Sequence, residues 1–320
     1  MYEAFYKFQK PPFSNIPDPG FLYLSAQHKR ALSVLRYALV ARAGFCVVTG
    51  DAGTGKTTLV RSVLQSLDQH LEVGLVSNTK CDSFEEFLRW VLLAFDLDYK
   101  GMDKVEMYDT LVQFLIEKFR LGTPVTLIID EAQHLGPEYL EQLRMLSNEN
   151  TERGQILQTI LIGQPELWNL LRKPELEQFA QRISYDYFLA PLDSPDVVGK
   201  YIRHRLDNAG GREDLFTTET IEPIFNATGG VPRLINLLCD TALVYGYGEA
   251  NDRIDAELIE RVVADKAESF SPIGKKRSPR ISKARKRVST SFESNSTAKS
   301  PDSKQLSIIE RAALRTRGNR

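Results

Sequence analysis

Gly50-Asp51-Ala52-Gly53-Thr54-Gly55-Lys56-Thr57 has the spacing G-x-x-x-x-G-K-[ST], and its reading decides the fold. Glycines let the backbone curl into a concave nest whose N–H groups point at phosphate oxygens. Lys56 supplies a positive charge for the β and γ phosphates, and Thr57 offers a hydroxyl to Mg²⁺. The flanks agree. Phe45-Cys46-Val47-Val48-Thr49 is a short apolar run that predicts a buried strand, and the spacing from Thr58 to Gln69 predicts a helix. A loop between strand and helix presents backbone donors and the positive end of the helix dipole to an anion. Residues 50–57, with Thr58 opening the helix, are therefore the expected site for a nucleoside triphosphate, with ATP and Mg²⁺ as the ligands.

Outward from the loop, strands and helices alternate. Strands are predicted at Leu71–Asn78, Val125–Ile129, 156–162 and 183–189, with helices at 25–42, 83–95, 104–120 and 137–148 and one between the last two strands. Several of these strands are continuous apolar runs, which argues for a parallel sheet buried on both faces. Beyond Pro191 the pattern is helical only, at 194–209, 218–228, 231–246 and 255–267. The expected organisation is α/β: a P-loop core over 25–191, then a small all-α lid over 192–270. Before it, residues 1–24 combine Tyr2, Phe5, Tyr6, Phe8 and Phe13 with Pro11, Pro12, Pro17 and Pro19. Such a segment is too apolar for a disordered leader and is expected to pack on the core that follows.

Charge divides the chain. From residue 271 onward there are 14 Lys/Arg against 3 Asp/Glu, while the chain as a whole carries a net −1. The body is acidic and the tail basic, with 271–302 read as disordered and 303–316 as a short helix. The tail's expected partners are an anionic membrane surface or nucleic acid. Nothing in the chain approaches the ~20 consecutive apolar residues of a membrane span, and the N-terminus lacks a secretory layout. The expected location is the cytoplasm, with the inner-membrane surface as a peripheral site. Cys46, Cys81 and Cys239 are scattered and odd in number, giving no disulfide framework or metal spacing. The four histidines, His28, His70, His134 and His204, are equally dispersed, and packing or solvated roles are expected for most.

Thr126-Leu127-Ile128-Ile129-Asp130-Glu131 is the second motif. An apolar strand ending in Asp-Glu sets two carboxylates at the sheet's carboxyl edge beside the loop: Asp130 to hold Mg²⁺, Glu131 to orient and polarise water. Gln164, at the tip of the strand Leu161-Ile162-Gly163, is the candidate sensor of phosphate state. Arg182, opening the last strand, faces away from its own nucleotide and is the candidate arginine finger for a neighbouring subunit; Arg172 competes less well. Gly229-Gly230-Val231-Pro232-Arg233 starts a lid helix with proline in its first turn, and Arg233 is the candidate link from lid to γ-phosphate. A two-motor helicase needs a second such domain, an ABC-type ATPase needs an L-S-G-G-Q signature, and a small-molecule kinase suits neither the Asp-Glu pair nor a lid that follows the core. All three are disfavoured.

These five elements, in this order, resemble the AAA+ ATPases. Tyr2-Glu3-Ala4-Phe5-Tyr6, Pro12-Phe13-Ser14, Pro17-Asp18-Pro19 and Phe21-Leu22-Tyr23-Leu24 look like the leader of the general secretion pathway protein A family and its exosortase-associated relatives. Leu143-Arg144-Met145-Leu146-Ser147-Asn148, Gly163-Gln164-Pro165-Glu166-Leu167 and Gly229-Gly230-Val231-Pro232-Arg233 carry the same resemblance, which spans residues 1 to about 268. It implies a sheet ordered 5-1-4-3-2, a helical lid, and homo-oligomers with ATP at subunit interfaces. The implied work is assembly or remodelling of a bacterial envelope system for secretion, pili or exopolysaccharide, with a protein of that machinery as partner. Members of the family continue through a membrane span into a peptidoglycan-binding region, whereas here a basic tail follows the lid. The alternative is a DNA-associated regulator of the transposition-protein type.

Overall fold

The computed structural model describes residues 1–16, 18–65, 71–77, 79–147, 155–268 and 273. The end of the helix predicted to Gln69, the strand end at Asn78 and the helix end at Asn148 lie outside the described residues. So do the tail readings at 271–302, Ile273 excepted, and 303–316.

In chain order the elements are α1 (Tyr2–Phe5), α2 (Ala26–Val40), β1 (Phe45–Gly50), α3 (Lys56–Gln65), β2 (Glu72–Val76), α4 (Phe84–Ala94) and α5 (Lys104–Arg120). Next come β3 (Val125–Ile129), α6 (Pro137–Ser147), β4 (Gln158–Gly163), α7 (Glu166–Leu171), α8 (Glu177–Ala180) and β5 (Ile183–Leu189). The helices α9 (Pro195–Asn208), α10 (Ile221–Thr228), α11 (Pro232–Gly248) and α12 (Ala256–Glu268) complete the elements of the described residues. Local chemistry explains the boundaries. Ser25, Ser83 and Ser194 accept from backbone N–H groups at the starts of α2, α4 and α9, and Asp103 with Glu106 forms a reciprocal capping box on α5. The single helix expected between β4 and β5 is two short ones, and the helix expected from 218 opens as a 3₁₀ turn over Thr218–Thr220.

The five strands are parallel in the order β2-β3-β4-β1-β5, the order 5-1-4-3-2 read from the other edge. β1, β3 and β4 are buried at every residue, which is why their sequences are apolar runs instead of alternations. The pleat sorts them between two cores. Phe45, Val47, Leu127, Ile129 and Leu161 face α4, α5 and α6, while Cys46, Val48, Ile128, Ile160 and Ile162 face α2 and α3. Leu189 belongs to the second of these cores, and from Leu192 onward the buried residues form a third, built from the lid helices.

The leader is packed chiefly on the lid, with a smaller contact on the α/β core for which it was expected. Tyr6, Phe8, Phe13 and Phe21 are buried in the lid core with Val198, Ile202, Leu238 and Ile259. The α/β layer is a lesser partner, reached where the turn carrying Phe21 touches α3. Phe13 is 1% exposed and meets Phe216 edge-on at 5.7 Å. Arg205 of α9 is buried beneath the segment, its Nε and Nη2 donating to the carbonyls of Pro12 and Ser14 at 2.6 and 2.7 Å and its guanidinium 4.6 Å from the Phe21 ring. Burial acts to lower the Arg205 pKa, so the two carbonyls and the ring supply what water otherwise would. Truncating Phe13→Ala opens a cavity between leader and lid, with an expected loss of about 3–5 kcal/mol in urea unfolding of the full chain.

Candidate nucleotide site

β1 ends at Gly50, α3 begins at Lys56, and the five residues between them turn back over the sheet edge. Gly53 and Gly55 hold φ of +82° and +95°, a region that L side chains avoid. Lys56 is 6% exposed and its Nζ donates to the carbonyls of Gly50 and Asp51 at 2.8 and 3.0 Å. Burial depresses the Lys56 pKa, opposed by the nearby carboxylates of Glu131, Asp130, Asp51 and Glu166. Thr54 braces the loop, its hydroxyl donating to the Asp51 carbonyl at 2.9 Å. Ala52 lies exposed at the loop's crest and Thr58 sits in the first turn of α3.

Asp130 follows β3 directly and reaches the loop. Its Oδ2 accepts from the Thr57 hydroxyl at 2.7 Å, and its Oδ1 accepts from the Glu131 N–H at 2.9 Å. A buried loop ammonium, glycines in left-handed conformations and a paired hydroxyl and carboxylate form a donor set that fits a triphosphate with Mg²⁺. Glu131 occupies the left-handed region at φ 52°, ψ 35°, strained for a side chain that is not Gly, Asn or Asp. Its Oε2 accepts from Gln164 Nε2 at 3.1 Å and from Gln133 Nε2 at 2.5 Å. Burial acts to raise the Glu131 carboxyl, but the two amides and the Lys56 charge together hold it below its ordinary range. The sheet thus brings together Lys56, Thr57, Asp130, Glu131 and Gln164.

The two arginines are separated. Arg233 opens α11 against the loop: its backbone N–H donates to the Gly53 carbonyl at 3.2 Å, and a Cβ on Gly53 would stand 2.5 Å from that of Arg233. Leu192 donates to the Gly230 carbonyl at 2.9 Å, so the same Gly-Gly turn joins lid, linker and loop. Arg182 is exposed just before β5, whose Ile183 pairs with Phe45 at the start of β1. β1 is six residues long, so Arg182 stands a strand length, roughly 17–20 Å, from its own phosphate loop. Arg172 lies over Trp168 instead, its guanidinium 5.8 Å from the ring.

Residues 40–171 match the family model described as an AAA domain. General secretion pathway protein A of Aeromonas hydrophila is 40% identical over 255 residues, covering 79% of this chain and 46% of that protein. The chain carries the AAA+ P-loop fold. The ATP-dependent target DNA activator B of Escherichia phage Mu is 31% identical over 145 residues, covering 45% of this chain and 43% of that protein. The chain therefore spans about half the length of the curated relatives it matches. Among solved structures, the Aeropyrum pernix ORC2 protein superposes with a TM-score of 0.62 at 14% identity, covering 80% of this chain and 72% of that one. Cdc6p from Pyrobaculum aerophilum gives 0.63 at 17%, covering 79% and 70%.

Three residues of the AAA+ site escaped the sequence reading. Thr79, from the segment after β2, donates its hydroxyl to the Glu131 carbonyl at 2.9 Å. Gln133 stands two residues past Glu131, where Ala132-Gln133-His134 gave only a superficial likeness to a helicase motif and no role for the amide. His28 gave no signal at all, because its partner is 26 residues away. It is buried, with Nδ1 2.7 Å from Ser25 Oγ and Nε2 3.2 Å from the Thr54 carbonyl. It therefore ties the start of α2 to the phosphate loop.

Burial lowers the His28 pKa, partly offset by the bond to the Thr54 carbonyl. With the folded value below the unfolded one, the neutral ring's contribution to stability is fully present above the unfolded pKa of about 6.5. It is lost as pH falls from there toward the folded pKa. Urea midpoints of the wild type are expected to decline over that window, and His28→Gln to flatten the decline.

Proposed function

We propose that this chain binds ATP with Mg²⁺ and hydrolyses it to ADP and phosphate, in a homo-oligomer that completes the site between subunits. The observation that carries the reading is the convergence at one strand edge of a loop lysine, a Thr57–Asp130 pair at 2.7 Å and a Glu131 carboxylate tied to Gln164 at 3.1 Å. The loop backbone and Lys56 bind the phosphates, and Thr57 and Asp130 would hold Mg²⁺. Held by these two residues, the ion would supply positive charge against the phosphates. Glu131 accepts the proton of the attacking water, which is ordered by its contact with the carboxylate. Gln164 reads the γ-phosphate from the tip of β4. Arg233 couples the lid to the loop, and Arg182 serves the site of a neighbour. The test is steady-state ATP hydrolysis by the full chain across a protein concentration series. No turnover above a Lys56→Ala control at any concentration would overturn the reading.

The cycle's work, in this proposal, is assembly or remodelling of a bacterial envelope system, from the cytoplasmic face of the inner membrane. The 40% identity to general secretion pathway protein A supports it. Among the described residues no helix is long and apolar enough to cross a membrane; in this reading the basic residues of 271–320 contact the anionic membrane surface. A DNA-associated role is the second reading, favoured by the match to the phage Mu DNA activator. Co-sedimentation of the full chain with anionic vesicles, against salt-dependent retention of duplex DNA, separates them. Binding to DNA alone would replace the envelope reading.

A further inference from the structure

Gln133 carries no role in the mechanism above, yet its side chain joins the two strand tips that do the chemistry. It lies in the short 3₁₀ turn Ala132–His134 that follows Glu131. Its Nε2 donates to Glu131 Oε2 at 2.5 Å, and its Oε1 accepts from the backbone N–H of Gln164 at 2.9 Å. Gln164 Nε2 donates to the same Glu131 oxygen at 3.1 Å, which closes a ring of three residues. The ring fixes which way the Gln133 amide points. Turned over, it would set an oxygen against the Glu131 carboxylate and an NH₂ against the Gln164 N–H, two repulsive contacts in place of two attractive ones. Gln133 Nε2 also lies 3.3 Å from His134 Nε2. The fit at the β4 tip is close, because a Cβ on Gly163 would stand 2.9 Å from Gln133 Oε1. The backbone of Glu131 is held separately, by Thr79 on its carbonyl and Asp130 on its N–H. Its carboxylate is thus the movable part, and the two amides hold it.

We infer that Gln133 is the positioning residue for Glu131, linking the carboxylate at the β3 tip to the backbone of the β4 tip so that any displacement of Gln164 is passed to it. One amide serves both ends: its carbonyl registers where Gln164 stands, and its NH₂ sets where the Glu131 carboxylate points. Glutamine meets both demands; alanine meets neither, and glutamate meets only the first because it has no donor. The inference rests on the hydrolysis reading and adds a residue to it.

The test compares ATP turnover by the full-length wild type, Glu131→Gln, Gln133→Ala, Gln133→Glu, Gln164→Ala and the double variant Gln133→Ala/Gln164→Ala. Binding of a non-hydrolysable ATP analogue and thermal midpoints are measured alongside. Gln133→Ala and Gln133→Glu are each expected to lower kcat about tenfold or more, with KM within about twofold. Analogue affinity should be retained. The double variant should lose more than either single one but less than the product of the two losses, because both amides hold the same Glu131 oxygen. Full turnover in Gln133→Glu would mean that the side chain only fills space, and independent multiplicative losses would mean that no linkage exists; either overturns the inference while leaving hydrolysis standing. Absent wild-type turnover, or turnover indifferent to Glu131→Gln, is a different pattern and removes the hydrolysis reading together with the inference.

Discussion

Glu131→Gln is expected to lower steady-state ATP turnover by about 10²–10⁴-fold, the range for loss of a positioned general base, while ATP binding survives. The substitution keeps the shape of the side chain and an oxygen able to accept from Gln133 and Gln164. What it removes is the negative charge and the capacity to take a proton from water. In the proposed site the phosphate contacts reside elsewhere, in the loop backbone and in Lys56, whose Nζ donates to the Gly50 and Asp51 carbonyls. Binding and chemistry are therefore separable in this site. Measured by single-turnover kinetics and by fluorescent-nucleotide titration, the variant should trap ATP. Turnover within about tenfold of wild type would remove Glu131 from the role of base.

Arg182→Ala is expected to cost about 10³-fold in turnover, at the lower end of the range for an arginine finger, without weakening nucleotide binding by the isolated subunit. Geometry gives the reason. Arg182 is exposed before the first residue of β5, a strand length from the loop at the far end of β1. In its own subunit it has no route to the phosphates. The arrangement predicts that wild-type specific activity rises with protein concentration. It also predicts complementation. Arg182→Ala subunits retain an intact Glu131, and Glu131→Gln subunits retain an intact Arg182. Mixing the two should recover part of the lost rate through the interfaces where both intact residues meet. Activity linear in protein down to dilute subunits, with no recovery on mixing, would show that each subunit works alone.

The fold was legible because three of its strands are buried on both faces and so appear in sequence as uninterrupted apolar runs. Asp130 and Glu131 were legible for the same reason, since they are the first polar residues after such a run. Gln164 stood out likewise, one residue beyond β4. The leader's destination was not legible. Phe13 and Phe21 announce burial, but an aromatic side chain does not say which apolar surface will cover it, and most of that surface was formed by helices from Pro195 onward. The break between α7 and α8 was legible but passed over: Pro174 holds Lys173 in extended backbone, with ψ 142°, and a helix cannot run through it.

The sequence by itself determined a phosphate loop, an acidic strand end and the alternation of strand with helix, because each depends on residues close along the chain and on periodicities of the backbone. It also determined that the loop glycines would form a concave nest, which the structure builds with Gly53 and Gly55 at positive φ. Only the tertiary structure decided that Thr57 and Asp130, 73 residues apart, meet at 2.7 Å. It alone seated Arg233 against Gly53, set His28 behind Thr54, and closed Gln133 and Gln164 around Glu131. Those contacts depend on strand order and on the register of β1, β3 and β4, and register is fixed by the whole set of packed side chains rather than by any single stretch of sequence.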